Sequence, residues 1–285
     1  MAREVATLLV SCPDRPGIVA GLAQLLYGHG CNILDSDQHT DAEAGQFFQR
    51  IRFDLAELKT DRHTLESGIR EVAQRFHMRA QVLHAGRPKR VAIYVSKYDH
   101  CLYDLLLRHK AGELHGEIAL VVSNHPDLAP VAEQFGVEFV VSARDAATRA
   151  EAERRELALL DERQIDLVVL ARYMQILGAA YFEKYQGRII NIHHSFLPAF
   201  IGGKPHRQAH ERGVKLIGAT AHYATEVLDQ GPIIEQDVIR CSHRDAVDDL
   251  VRKGRDVEKT VLARAVRAHL DDRVLVYAGK TVVFD

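Results

Sequence analysis

The sequence is poor in cysteine, carries no surplus of charge of either sign and contains no long apolar run. Its cysteines, Cys12, Cys31, Cys101 and Cys241, are scattered without paired spacing. That pattern offers neither a zinc knuckle nor a disulfide framework and reads as the reduced thiols of a cytosolic chain. Lys and Arg number 37 against 39 Asp and Glu, a formal net charge of −2. The chain therefore lacks the basic field that a general binder of nucleic acid or of membrane surfaces needs. No apolar stretch is long enough to cross a bilayer. The opening MAREVATLLVSCPDR has too short an apolar run for a signal peptide, with Glu4 among its first residues and no small-residue cleavage site. It reads as a first strand. The expectation is a cytoplasmic protein with no nucleic-acid or membrane partner.

What the chain does have is length for one large domain or two modest ones, 285 residues of which 47% are hydrophobic. Residues 1–84 read as strand, helix, strand, strand, helix, strand. Val5 to Cys12 is the first strand. The turn Pro13-Asp14-Arg15-Pro16-Gly17 feeds a helix to about Tyr27, and Cys31 to His39 and Gln46 to Leu55 form a strand pair. Leu65, Ile69, Val72 and Phe76 have helical spacing, and Ala80 to Leu83 closes a small α+β sheet. Gly86-Arg87-Pro88-Lys89-Arg90 marks a linker over 85–90. Beyond it, 91–285 alternates helical segments with runs apolar on both faces: Val91–Val95, Ile118–Val122, Phe139–Val141, Leu167–Ala171 and Ile189–Ile192. This is the pattern of a buried, mostly parallel sheet of the doubly wound kind. Val274 to Val283 alternates around Ala278-Gly279 as a terminal hairpin.

Ser96, Ser123-Asn124, Arg172-Tyr173 and Asn191–His193 each fall where a parallel strand should end. Open α/β sheets bind ligands beyond those ends, so these residues should share one crevice. In the extended run Ile189-Ile190-Asn191-Ile192-His193-His194, Asn191 and His193 point together and His194 points away. Asn offers a neutral N–H to a developing oxyanion and His a proton donor or acceptor near neutral pH. Taken alone, Asn191 is more simply a turn cap, His193 a hydrogen-bonded core histidine, and Asp229, before Gly231-Pro232, a turn residue. An aspartate beside His193 would fix its tautomer.

Other groups read as structural. His206 and His210 are spaced i, i+4, but no Glu follows His206 and no further ligand has metal spacing, so no metal is expected. Gly202-Gly203-Lys204 lacks a P-loop pattern and reads as a turn near the site, and the charged run Arg252–Lys259 as a solvated helix face.

Together, NIHHSFLPAF and GATAHYATEVLDQGPII resemble the catalytic domain of the 10-formyltetrahydrofolate-dependent formyltransferase family. The family's Asn-x-His and later Asp fall on Asn191, His193 and Asp229, and its second loop histidine on His222. Within the family the chain is similar to the deformylases. Asp14-Arg15-Pro16-Gly17-Ile18-Val19 resembles the start of an ACT domain, the amino-acid-sensing module that deformylases carry first. Ser96-Lys97-Tyr98-Asp99-His100-Cys101-Leu102 has no glycine, where the ribonucleotide transformylases of the family wrap a phosphate in a glycine-rich loop. The tRNA-directed members append a basic domain, whereas this sequence ends soon after its hairpin.

The resemblance implies an ACT-like α+β sandwich (βαββαβ) followed by a Rossmann-like formyltransferase domain. It implies hydrolysis of 10-formyltetrahydrofolate to formate and tetrahydrofolate, which supplies formate for purine synthesis, with the folate as substrate and no cofactor. Asp229 with His193 would deprotonate the attacking water and Asn191 would hold the oxyanion. The folate would lie against Met174, Gln175 and Leu177 and against His222, Val227 and Leu228. Gln175 stands where the ribonucleotide transformylases have Arg. Methionine or glycine would bind at Asp14, Arg15, Gly17 and Ile18, in a homo-oligomer. A formyl transferase to another amine and a non-catalytic amino-acid or folate sensor are the alternatives.

Overall fold

The computed structural model describes residues 4–143, 148–199 and 205–285, arranged in two compact units. The first runs to Pro88 and has the expected βαββαβ order. It comprises β1 (Val5–Pro13), α1 (Ile18–Gly28), β2 (Asn32–Asp41), β3 (Gln46–Asp54), α2 (Arg62–Phe76) and β4 (Arg79–His84). Its sheet has the order β2-β3-β1-β4 with antiparallel pairing throughout. Leu8 and Val10 of β1 and Phe53 of β3 bury one sheet face against Leu22 and Leu26 of α1 and Leu65 and Ile69 of α2. The start of α2 is fixed by Asp61, whose carboxylate accepts from the Thr64 backbone N–H at 2.8 Å, and His77 ends it in the left-handed region. Gly17 stands before α1 with φ of +93°.

The second unit begins at Lys89. It contains β5 (Lys89–Val95), α3 (His100–Lys110), β6 (Gly116–Ser123), α4 (Ala129–Gln134), β7 (Glu138–Val141), α5 (Arg149–Glu162) and β8 (Leu167–Leu170). There follow α6 (Ala179–Lys184), β9 (Ile189–His193), α7 (Pro205–Glu211), β10 (Leu216–Tyr223), β11 (Ile233–Arg240) and α8 (Val247–Leu270). The seven-stranded sheet has the order β11-β10-β9-β8-β5-β6-β7. Strands β9, β8, β5, β6 and β7 are parallel, and the β10–β11 hairpin adds two antiparallel strands beside β9. The continuous apolar runs are the central strands, and Val91 to Val95 are all buried, as a sheet covered on both faces requires.

Strand β5 starts two residues inside the stretch expected to be linker. Lys89 is tied to the end of α8 through Nζ and the Leu270 carbonyl at 2.8 Å, and the Arg90 N–H donates to Asp166 at 2.7 Å. The closing hairpin is present as β12 (Val274–Tyr277) and β13 (Lys280–Val283), with Ala278 and Gly279 both at positive φ. Asp272–Leu275 and Val282–Asp285 pack with the first unit, where Arg50 Nε donates to the Asp272 carbonyl at 2.9 Å and Phe284 is buried. Among the described residues, no helix is long and apolar enough to cross a membrane.

Candidate active site

Strand β9 carries Asn191 and His193 on one face, and its antiparallel register with β10 sets His222 opposite Asn191 and Thr220 opposite His193. After β10 the chain turns through Asp229 and returns as β11. A Cβ at Gly231 would overlap the Tyr223 carbonyl oxygen, so only glycine lets the returning chain lie this close. Asp229 itself is held at φ +56° and Arg172, just past β8, at +62°. Strained non-glycine residues of this kind collect where side chains must be aimed.

The result is a compact polar set. Asp229 Oδ1 lies 3.1 Å from His193 Nδ1 and 3.7 Å from His222 Nε2. His222 Nδ1 lies 3.0 Å from the Tyr223 carbonyl, which only accepts, so Nδ1 bears the proton and Nε2 is left as an acceptor. Asn191 Nδ2 then donates to His222 Nε2 at 3.2 Å. The hydrogen bond from His193 holds the Asp229 carboxyl well below the usual carboxylate range despite partial burial. An ionised Asp229 selects the His193 tautomer protonated on Nδ1. His193 Nε2 is buried and, among the described residues, has no hydrogen-bond partner.

These side chains line one cavity of about 740 Å³, the size that takes a small organic ligand. Met174, Gln175 and Leu177 form part of its wall, in a loop held by Ser96, whose hydroxyl accepts from the Met174 N–H at 3.1 Å and donates to Asn124 at 2.7 Å. Met174 is 59% exposed and Leu228 61%. Two solvent-facing apolar side chains beside a polar site suit the faces of a flat ring.

Comparison with known proteins places this arrangement. The formyl transferase family model matches residues 89–266 and the ACT domain model residues 6–71. A formyltetrahydrofolate deformylase of Synechocystis sp. is 54% identical over 284 residues, which is 100% of each chain. That of Bacillus subtilis is 50% identical, over 98% of this chain and 93% of its own. The crystal structure of a formyltetrahydrofolate deformylase from Pseudomonas syringae pv. tomato superimposes with a TM-score of 0.94 at 46% identity, covering 100% of this chain and 96% of that one. The chain belongs to the formyltetrahydrofolate deformylase family. Its first unit is the ACT domain and its second the formyltransferase-type domain with a mostly parallel sheet.

In this deformylase-family site the structure brings together Asn191, His193, His222, Asp229, Met174, Gln175, Leu177 and Leu228. Val227 is not among the cavity-lining residues: its side chain is 54% exposed on the same loop. His194 does not point away from His193. The strand ends at His193, so alternation stops there, and the His194 ring lies 5.1 Å from that of His193, tilted by 30°. Ser96, Ser123 and Asn124 sit at strand ends as expected but tie loops together rather than line the cavity. The Gly202-Gly203-Lys204 turn lies outside the described residues.

His100, His206, Arg255 and Glu258 also line the cavity, although no sequence motif marks them as site residues. The run Arg252–Lys259 is not wholly solvated: Gly254 and Glu258 face inward, with Glu258 2% exposed. Its carboxylate meets His100 Nε2 at 2.9 Å and Arg172 Nε at 3.4 Å. Burial opposes that charge, but His100 and Arg172 outweigh it and keep Glu258 below its ordinary value. The donor atoms of His100, Cys101 and Glu258 lie within 4.8 Å of one another. Arg172 already supplies the cation there, and burial followed by the Glu258 charge keeps the Cys101 thiol protonated. The group is built as an ion-pair cluster. Of the i, i+4 histidines, His210 is exposed and His206 lines the cavity.

Proposed function

We propose that this chain hydrolyses 10-formyltetrahydrofolate to formate and tetrahydrofolate, with the folate as substrate and no cofactor, and so feeds formate to purine synthesis. The observation that carries the reading is the contact of Asp229 Oδ1 with His193 Nδ1 at 3.1 Å, beside Asn191 and at the wall of a ligand-sized cavity. The 54% identical relative of the same length is named for this activity.

The proton inventory supports His193, rather than Asp229, as the base. A carboxylate held far below its usual range is a weak base, whereas a ring protonated on Nδ1 presents the Nε2 lone pair. In this scheme Nε2 takes a proton from water as its oxygen attacks the formyl carbon. The C=O electrons become an oxyanion, which accepts the second N–H of Asn191 Nδ2; the first is committed to His222. Asp229 stabilises the imidazolium. As the carbon–N10 bond breaks, His193 returns the proton to N10, and formic acid leaves and ionises. N10 is an arylamine nitrogen whose lone pair is drawn partly into its ring, so this amide is more open to attack than a peptide.

Met174, Gln175, Leu177 and Leu228 would contact the folate, with the exposed Met174 and Leu228 against ring faces. The ACT domain would bind a small amino acid, methionine or glycine, near Asp14, Arg15, Gly17 and Ile18 in a cytoplasmic homo-oligomer. Incubation of the pure protein with 10-formyltetrahydrofolate alone, with formate assayed, tests the reaction. Turnover should need no amine. Tetrahydrofolate release that depends on glycinamide ribonucleotide, with the formyl group recovered on that amine and not as formate, would make the chain a transferase.

A further inference from the structure

A buried glycine that takes no part in the chemistry at His193 stands inside α8, a helix of 24 residues, where glycine is disfavoured. Gly254 has a specific neighbour. A Cβ there would overlap Nε2 of His206 and lie 3.1 Å from its Cε1, so the imidazole rests directly on the helix backbone. The His206 ring is stacked on that of His194 with centroids 6.2 Å apart and planes 24° apart, and His194 in turn packs on His193 at 5.1 Å. A chain of contacts runs from the backbone of α8 through two imidazoles to His193.

We propose that His206 and His194, seated on Gly254, are positioning residues that hold the His193 ring in the plane its base role requires. The inference rests on the assignment of His193 in the proposed mechanism. Among the described residues His193 makes one hydrogen bond, through Nδ1, and its buried Nε2 is left unpartnered, which is where it would meet the attacking water. One hydrogen bond leaves a ring free to swing about it, and a packed ring on its face removes that freedom. Both supporting rings are also uncharged near neutral pH. Burial, with Arg172 and His193 adding to it, pushes His194 down to about 4, and burial lowers His206 as well. A neutral stack lets His193 accept a proton without a second cation against its face, while Arg172 and Glu258, which act on both rings with opposite sign, are paired with each other.

The test is steady-state kinetics on the full chain with 10-formyltetrahydrofolate, beside imidazole ¹⁵N–¹H spectra, for Gly254→Ala, His206→Ala and His193→Ala. In Gly254→Ala the added methyl displaces a flexible ring end, so the fold should survive. Both Gly254→Ala and His206→Ala should lose roughly tenfold or more in kcat with KM kept within about twofold. The His193 signals should pass from one Nδ1-protonated tautomer to an averaged pair. Wild-type kcat in the two stack variants, or a fall in kcat with the His193 signals unmoved, overturns the proposal. If Gly254→Ala does not fold, His206→Ala, which adds no atom, decides it. Wild-type turnover in His193→Ala would instead remove the base assignment itself. Loss there with both stack variants unaffected removes the stack alone.

Discussion

Asn191 Nδ2 sits 3.2 Å from Nε2 of His222, a ring whose other nitrogen is spent on the Tyr223 carbonyl. The pair fixes which way the Asn191 amide faces: nitrogen inward, with one N–H left for the cavity. His222 therefore acts through Asn191. His222→Phe keeps a ring of similar width but removes the acceptor, and kcat should fall on the order of 100-fold, as when an oxyanion donor is lost. The double variant with Asn191→Ala should be little worse than Asn191→Ala alone. Additive losses in that cycle would mean that His222 works independently of Asn191.

Asp229→Asn keeps the shape of the side chain and removes the charge that selects the Nδ1-protonated form of His193. Turnover should drop roughly 10²- to 10⁴-fold, the cost of a wrong tautomer in a comparable dyad, while the folate still binds. Equilibrium binding of a non-hydrolysable folate beside single-turnover rates separates the two effects. Near-normal turnover would remove the carboxylate from the mechanism.

Much of the fold was legible because its signals are local. The both-face apolar runs became the central strands, and the Leu65, Ile69 and Phe76 spacing became the buried face of α2. Asn191, His193 and Asp229 were legible for a different reason: two long segments matched the family together. A local rule misleads once it runs past its element: strand alternation turns His194 away from His193, but the strand ends at His193 and the two rings pack together. The charged neighbours of Glu258 suggest a solvated face, yet it shares the helix face of Leu250, Gly254 and Val261, and an acid in that apolar stripe is the sign of its burial. His100 meets Glu258 across 158 residues of sequence, and no spacing rule reaches that far.

Acid should destabilise the chain in a defined window. In the unfolded chain both His194 and His269 take protons below about pH 6.5. In the folded chain burial, then nearby cations, pushes His194 down to about 4 and His269 to about 3. Between those values the unfolded state binds more protons, so this stability is complete above about pH 6.5 and is lost as pH falls toward 4, by roughly 3 kcal/mol for each ring. Asp229 acts in the same sense at lower pH: folding favours its ionised form, and that contribution is complete above the usual carboxylate range and lost only as pH falls through and below it. Urea midpoints at pH 7, 6 and 5 should decline, and His194→Asn should flatten the decline. Equal midpoints at pH 7 and 5 would show that neither ring is held neutral.

The regulatory expectation turns on one backbone position. Gly17 precedes α1 at φ +93°, with the Phe76 ring 3.8 Å from where a Cβ would stand, so a methyl meets ordinary contact and the backbone conformation alone opposes it. The Asp14 N–H is occupied by the Gly45 carbonyl at 2.9 Å, and Ile18 is buried, which leaves the exposed backbone at Gly17 as the approach for an amino-acid carboxylate. A β-branched residue at positive φ is strained, so Gly17→Val should reshape this loop and leave the catalytic unit intact. An effector acts only through different affinity for two states, so methionine or glycine must shift turnover or assembly in wild type. Titration calorimetry, kinetics and sedimentation with each amino acid should show binding and a response in wild type and neither in Gly17→Val, at unchanged effector-free kcat. Binding and response that survive in Gly17→Val would place the sensing site elsewhere in the ACT domain. No binding in wild type, with the oligomer intact, would leave that domain an assembly element only.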